Sequence, residues 1–225
     1  MKKILFFAIC VMALVFAGCD HEEPATLDKI AIEAVDLGLS VKWANMNVGA
    51  NAPEDYGDYF AWGETEPKEV YDWSTYKYCN GSYYTLTKYN NRSSYGSVDN
   101  KTTLKLADDA ARVNWGGSWR MPTEVEQDEL CNNCTWTRTT QNGVSGYKVT
   151  SKKSGYTNKS IFLPAAGYRC GSSLNLAGNS NLLFWSSSRY TDDPSHAYGL
   201  HFFAGFVNAR NNNRSHGLSV RPVCP

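Results

Sequence analysis

The stretch NWGGSWRMPTEVEQDEL, residues 114–130, decides how the rest of the chain is read. Two glycines ahead of a helix-like run could form a phosphate cradle at a helix N-terminus. The residues argue otherwise. Thr123 is a good N-cap, and Glu126 follows three positions later. That spacing is a capping box, in which the threonine hydroxyl takes one free amide of the first turn and the glutamate returns to the cap amide. Pro122 holds the entry extended just before the cap. Glu124, Glu126, Asp128 and Glu129 crowd the first turns, where the helix dipole favours anions and a phosphate would be repelled. Gly116 and Gly117 end the element before this one instead of opening it. The stretch therefore reads as a helix stop, an extended link and a capped acidic helix.

Working outward, residues 102–117 predict an earlier helix. Leu106, Ala110 and Val113 share one face, and Asp108, Asp109 and Arg112 turn to water. Upstream, residues 34–49 alternate well enough for one or two first strands, and residues 55–64 predict another. Residues 71–90 are aromatic without periodicity and predict a long surface excursion. Beyond Cys134 the pattern is strand-like. SGYKVTS and KSIFLPAAG predict a hairpin, LLFWSSSRY a strand, and HAYGLHFF with GFVNAR a hairpin turning at Ala204-Gly205. NNNRSHG predicts a loop and LSVRPV a closing strand. Strands, two helices, then a run of antiparallel strands define an α+β domain with segregated helices.

The N-terminal residues carry Lys2 and Lys3, an apolar run from Ile4 to Ala17, then Gly18-Cys19. That run is shorter than the roughly 20 residues of a membrane span. Residues 1–18 thus predict an export signal. VFAGC resembles a bacterial lipobox, which implies lipidation of Cys19 and an outer-membrane anchor. The acidic cluster Asp20–Glu23 resembles the surface-export signal of Bacteroidetes lipoproteins, so residues 19–33 are expected to be a tether on the cell surface, and residues 34–225 the domain. Loss of Lys2 and Lys3 changes 22 basic residues to 20 against 22 acidic ones, which leaves no electrostatic footprint for nucleic acid. Charged residues are few at 20%, aromatics many at 13%, and this mix suits short strands, polar loops and sugar binding.

GGSWRMPTEVEQDEL, CTWTRTTQNGVSGYKVTS, SIFLPAAGYR, FWSSS and GLSVRPVCP together resemble the Fibrobacter succinogenes major paralogous domain, abundant in Bacteroidetes lipoproteins. The resemblance covers residues 34–225. That domain is in turn similar to the C-type-lectin-like fold, in its formylglycine-generating-enzyme branch. There an Arg-Leu-Pro-Thr-Glu segment begins the second helix, and Met121 stands here for the leucine. The resemblance implies that the last strand pairs with the first and brings the ends of the domain together.

The chemistry of the wider fold is not carried over. Its iron-dependent members use histidines, but His21 lies in the tether, and His196, His201 and His216 lack ligand spacing. Its copper-dependent oxidases need a placed cysteine pair; Cys170 and Cys224 are candidates only by elimination. The calcium-site motifs of its lectins are missing, since Glu66-Pro67-Lys68 ends in the wrong charge and Asp192-Asp193-Pro194 has the wrong order. No Ser-His-Asp or Gly-x-Ser-x-Gly arrangement is visible. No cofactor and no metal is expected, nor catalysis.

Once Cys10 is removed and Cys19 lipidated, five cysteines remain, and an odd number cannot all pair. Cys131-x-x-Cys134 sits at a helix C-terminus, the wrong end for a redox pair that gains acidity from the dipole. Cys134 with Cys224 is the expected disulfide, tying the second helix to the closing strand; five free thiols is the alternative. The pairing of Cys79, Cys131 and Cys170 stays open.

In the lectin-like fold the loops between late strands form the recognition face. On this chain these are residues 187–195 and 211–217. They offer Arg189, Tyr190, Asp192, Asn212 and Arg214, with Tyr168 and Arg169 nearby. Aromatic rings can stack on sugar faces while amide, carboxylate and guanidinium groups fix hydroxyls. Trp115, Trp119 and Trp185 flank apolar segments and are expected in the core. The expected function is a non-catalytic surface lipoprotein, an adhesin-like module binding a glycan or host protein without calcium. The alternatives are a structural or assembly subunit of a surface appendage and an oxidase of the formylglycine-generating type.

Overall fold

The computed structural model describes residues 31–179, 181–203 and 206–225. The expectations for the signal, Cys19, most of the tether and the Ala204-Gly205 turn lie outside the described residues. No helix of the described residues is long and apolar enough to cross a membrane. The domain is mixed and mostly β, as the order of elements predicts.

The capped helix forms as read. The helix α2 spans Glu124–Asn133. Glu126 N donates to Thr123 Oγ1 (3.3 Å), and Thr123 N donates to Glu126 Oε2 (2.8 Å). Arg120 adds a bidentate pair to the same carboxylate at 2.6 and 2.7 Å. The pair holds Glu126 below the usual carboxylate range, against the opposing effect of burial.

The earlier helix is shorter than predicted. A 3-10 turn, Leu106–Asp108, precedes α1, which covers only Ala110–Trp115. Leu106 and Val113 are exposed, whereas Asp108 and Asp109 are buried. Asp109 is the reason. Its carboxylate caps α1 through Arg112 N (3.0 Å) and also accepts the Met121 amide (2.8 Å). One buried acid thereby stops the helix from starting earlier and ties it to the link that leads into α2. Trp185 is fully buried, while Trp115 and Trp119 are half-buried and meet edge to face at 5.4 Å.

Among the described residues, four small antiparallel sheets carry the strands. The first joins β1 (Ala34–Val35), β2 (Lys42–Ala44) and the closing β11 (Val223–Cys224), with Val223 opposite Trp43. The last strand therefore pairs with β2 and not, as expected, with the first; β1 lies on the other side of β2 in the same sheet. A second holds β3 (Cys134–Gln141), β4 (Val144–Ser151) and β5 (Ser160–Pro164), in that order. Asn142 and Gly143, both at positive φ, make its first two-residue turn. A ribbon joins β6 (Tyr168–Cys170) and β7 (Ser173–Asn175). The last sheet orders β10 (Phe206–Asn213), β9 (His196–Phe203) and β8 (Leu182–Arg189), with Phe206 opposite Phe203.

β8 is the wall between two cores. Its apolar run cannot alternate with polar residues because both faces are buried. Leu182 and Phe184 enter one cluster with Leu130 of α2, Tyr147, Ile161 and Val223. Leu183 and Trp185 enter the other, with Phe60, Trp62, Tyr71, Tyr76 and Tyr89. This second cluster corrects two expectations. Residues 55–64 make no strand; Phe60 forms a lone bridge to Leu218, and Trp62 N reaches Arg214 O (2.9 Å). Residues 71–90 are not a surface excursion either, since Tyr71, Tyr76, Tyr78, Leu86 and Tyr89 are buried.

The described cysteines are all free thiols, so Cys134 and Cys224 do not form the expected bridge. Strand alternation explains it. Cys134 lies in the cluster that Val223 enters, and the next residue of β11, Cys224, faces the other way.

Candidate functional site

The site begins at β6. Arg169 exchanges backbone bonds with Gly217 at 2.8 and 3.0 Å, which fixes the strand beside the 214–217 turn. Gly217 is needed there, because an added Cβ would stand 2.5 Å from the Tyr71 ring. Neighbouring strand residues face opposite sides. Tyr168 and Arg169, grouped by the sequence reading, are consequently separated into different clefts.

Tyr168 lines a cleft of about 270 Å³ with Leu183, His201, Arg210, Asn212 and His216. Its ring lies 5.4 Å from the His216 imidazole, tilted by 33°. Asn212 Nδ2 donates to His201 Nε2 (2.5 Å), leaving Oδ1 as an acceptor. Burial lowers the His201 imidazole to about 4, and burial together with His196 lowers His216 as well. Both rings are neutral at pH 7. A second depression of about 460 Å³ shares His201 and Arg210 and adds Tyr190, Tyr198 and Asn211. Tyr190 and Tyr198 meet edge to face at 5.1 Å. The two hollows meet at His201 and Arg210 of the β9–β10 ribbon. Their combined lining offers aromatic faces, an amide acceptor, neutral imidazoles and one guanidinium, and it includes no carboxylate.

The other expected site residues are elsewhere. Arg169 sits in a cleft of about 280 Å³ with Asp58, Lys68 and Glu69, its guanidinium 5.4 Å from the Tyr59 ring centre. Asp192 is exposed and lines neither hollow. Asn212 belongs to strand β10, not a loop.

Arg189 and Arg214 are buried and hold the fold. Arg189 donates to Lys101 O (3.2 Å), Asn91 Oδ1 (3.2 Å) and Tyr190 O (2.7 Å). Arg214 is 0% exposed. It donates to Tyr76 Oη, Lys88 O, Tyr89 O and Pro194 O at 2.8–3.3 Å, with its guanidinium 4.8 Å from the Trp62 ring centre. Neither has a carboxylate partner among the described ion pairs, so a sequence search for charge pairs could not have shown either as buried. Conversely His201, Arg210, Tyr198 and His216 were passed over. The signal was the hairpin register, which sets Arg210 opposite Gly199 and Asn208 opposite His201 on one face.

Asp193, Ser195 and His196 bring a carboxylate, a hydroxyl and an imidazole together. Ser195 Oγ donates to Asp193 Oδ1 (2.7 Å) and lies 3.0 Å from His196 Nδ1; Asp193 Oδ2 is 3.3 Å from that same nitrogen. A nucleophilic triad needs hydroxyl and carboxylate on opposite ring nitrogens, so this is a turn and not a charge relay. Burial pushes the Cys131 and Cys134 thiols up to about 12 and about 11, the reverse of a reactive pair. Cys170 is exposed on the β6–β7 ribbon and Cys224 is buried in the first sheet. Among the described residues no group of three or more His, Cys, Asp or Glu could hold a metal ion.

Fold and site together define a mixed α+β domain with a tyrosine- and amide-lined surface on its last sheet. Over residues 120–223 the chain is similar to a domain of unknown function (DUF8237). That span begins at Arg120 of the capping network and takes in both hollows, but not the tyrosine-rich core segment 55–104. No curated protein and no solved structure matches the chain.

Proposed function

We propose that the domain is a non-catalytic recognition module of a cell-surface lipoprotein, with a C-type-lectin-like fold of the formylglycine-generating-enzyme branch. The observation that carries it is the pair of adjoining hollows over β9–β10, where Tyr168, Tyr190 and Tyr198 stand beside Asn211, Asn212 and Arg210. Partly open aromatic walls with a few convergent polar groups suit a sugar ring or a polar peptide. The pairing of β11 with β2 supports the fold reading, and the lipobox-like VFAGC supports the anchor on Cys19 in the outer membrane. With no carboxylate in the lining, binding is independent of calcium.

A glycan array probed with the full-length protein in detergent tests this. Binding should survive chelation by EDTA and weaken about tenfold on Tyr168→Ala or Asn212→Ala. Failure to bind any glycan or extracellular protein would overturn the reading. A structural appendage subunit is the second reading, favoured by β3, an eight-residue strand at a sheet edge. Light scattering that showed higher assemblies lost on Thr137→Pro would favour it.

A further inference from the structure

A second aromatic surface lies outside both hollows. The segment 73–97 closes on itself through Thr87 N to Tyr78 O (2.9 Å), Leu86 N to Tyr95 O (2.6 Å) and Ser97 N to Leu86 O (2.8 Å). Two 3-10 turns, Tyr83–Thr85 and Ser93–Tyr95, carry its tips, and Ser82 Oγ caps the first through Tyr84 N (3.3 Å). Leu86 is buried and anchors the closure. Three tyrosines are thereby held together at the surface. Ring centres are 4.0 Å apart for Tyr83–Tyr84, 5.6 Å for Tyr84–Tyr95 and 6.3 Å for Tyr83–Tyr95. Trp73 lies 5.9 Å from Tyr83 and 5.4 Å from the buried Tyr76, which connects the patch to the core.

Tyr83 and Tyr84 remain 36% and 55% exposed, so the rings are held without being covered. Folding cores do not need such rings, and tyrosines fixed this way lose little entropy on contact with a ligand. Around them stand hydroxyls and amides: Ser82, Asn91, Ser93 and Ser94 are all open or half-open. The rings tilt by 40–49° to one another, giving a stepped surface and not a flat apolar face. Burial raises the Tyr95 phenol, and the Asp193 carboxylate lies near enough to raise it further, placing the patch beside the 190–195 turn. Tyr190, at the other end of that turn, lines the second hollow.

We propose that Tyr83, Tyr84 and Tyr95 form a stacking shelf for a neutral oligosaccharide, taking the flat C–H face of a pyranose ring in a chain that also contacts the β9–β10 hollows. Stepped rings fringed by hydroxyl and amide groups match a ligand whose units are apolar on the face and polar at the edge. The proposal rests on the recognition reading above, and names a further subsite for it.

The test uses the full-length protein in detergent on a glycan array, followed by titration of the strongest hit. Tyr84→Ala should weaken that hit about tenfold, and Tyr84→Phe, which keeps the ring face, less than about twofold. Because Tyr84 is exposed, the melting temperature of both variants should equal that of the wild type. Equal losses for the alanine and phenylalanine variants would overturn stacking. Wild-type affinity in Tyr84→Ala with loss in Tyr168→Ala would overturn the shelf and leave the hollows standing. Loss in Tyr84→Ala with none in Tyr168→Ala would support the shelf but overturn the proposed continuity of the ligand with the hollows. If the wild type bound immobilised extracellular-matrix protein and no glycan, the shelf would be overturned while a recognition role survived.

Discussion

The two cores on either side of β8 are built by different means. The one facing α2 is made of strands and a helix, and its backbone groups pair in ladders. The other collects tyrosines and tryptophans from segments with almost no regular structure. Buried carbonyls there have no ladder to join, and each must still be paired. Side chains do it. Tyr59 Oη donates to Ala166 O (2.5 Å), Tyr71 Oη to Tyr59 O (2.6 Å) and Tyr76 Oη to Trp62 O (2.7 Å). The indoles of Trp62 and Trp185 donate to Ser186 O and Phe60 O. In the regular core, by contrast, the indole N–H groups of Trp43 and Trp136 find no partner among the described residues. A tyrosine in the irregular core therefore supplies both apolar area and a hydrogen bond that replaces a missing strand.

If this is right, the largest effect belongs to Arg214. Its guanidinium satisfies three backbone carbonyls and Tyr76 Oη in a site closed to water. Arg214→Met should cost about 3–5 kcal/mol, since the abandoned acceptors stay buried. Lysine should not rescue it, because a point charge cannot reach four acceptors around a plane. Leu130→Ala, at the centre of the regular core, should cost about 2–5 kcal/mol through its cavity alone. Urea unfolding of both variants compares them. A loss below about 1 kcal/mol for Arg214→Met would break the idea that side chains stand in for ladders.

Acid should act next in size, at the edge where the last sheet meets the candidate site. His201 has its folded value lowered to about 4 by burial, so the unfolded chain binds its proton first. Stability contributed this way is present above the ordinary histidine value of 6.5 and is lost as pH falls toward about 4. The loss is at most about 3 kcal/mol. Asp109, raised by burial, opposes it nearer the carboxylate range. Thermal melts of wild type and His201→Gln between pH 7 and pH 4 isolate the term: the variant should show a shallower slope, keeping the share that His216, also lowered by burial, contributes. Parallel curves would mean that His201 is solvated and the cleft is wetter than its geometry says.

These differences also set what could be read from the chain. The regular half was legible because its signals are local. The capping box of α2, the β4–β5 hairpin and the β8 run all follow from spacing and turn residues. The irregular half was not, since Tyr71, Tyr76, Tyr78 and Tyr89 follow no period and their burial depends on distant carbonyls. Arg189 and Arg214 misled for the same reason. A charge in a polar stretch reads as solvent-facing unless a carboxylate partner is visible, and these two are held by oxygens without charge. Of the expected site, Tyr168, Tyr190 and Asn212 reach the hollows. His201 and Arg210 join them only through a strand register that a single hydrophobic pattern does not specify.

Tyr76→Phe sharpens the comparison further. The lost hydroxyl donates to Trp62 O and accepts Arg214 Nε (2.9 Å), while the ring stays in place. The expected cost is about 1–3 kcal/mol, far more than removal of a solvated phenol. In a double-mutant cycle with Arg214→Met the two losses should be strongly non-additive, because each variant already removes the bond between them. Additive losses would show that the two groups stabilise the core separately.

The smallest effect is expected at the element the sequence showed best. Thr123→Ala removes one hydroxyl from the capping box and should cost about 1 kcal/mol. The cost stays small because Glu126 keeps its bond from Thr123 N and its pair with Arg120. Glu126→Gln discriminates between the two contributions. The amide can still accept from the cap N–H, so the box survives, but the charge that answers Arg120 and the helix dipole is gone. Glu126 titrates below its ordinary value, so its contribution is present above that value and is lost as pH falls through the folded one. At pH 7 Glu126→Gln should therefore cost more than Thr123→Ala, and below the folded value of Glu126 the two should converge. If Thr123→Ala were the costlier at pH 7, the local box and not the ion pair would hold the entry to α2. The entry to α2 would then rest on capping, with the Arg120 pair adding little to it.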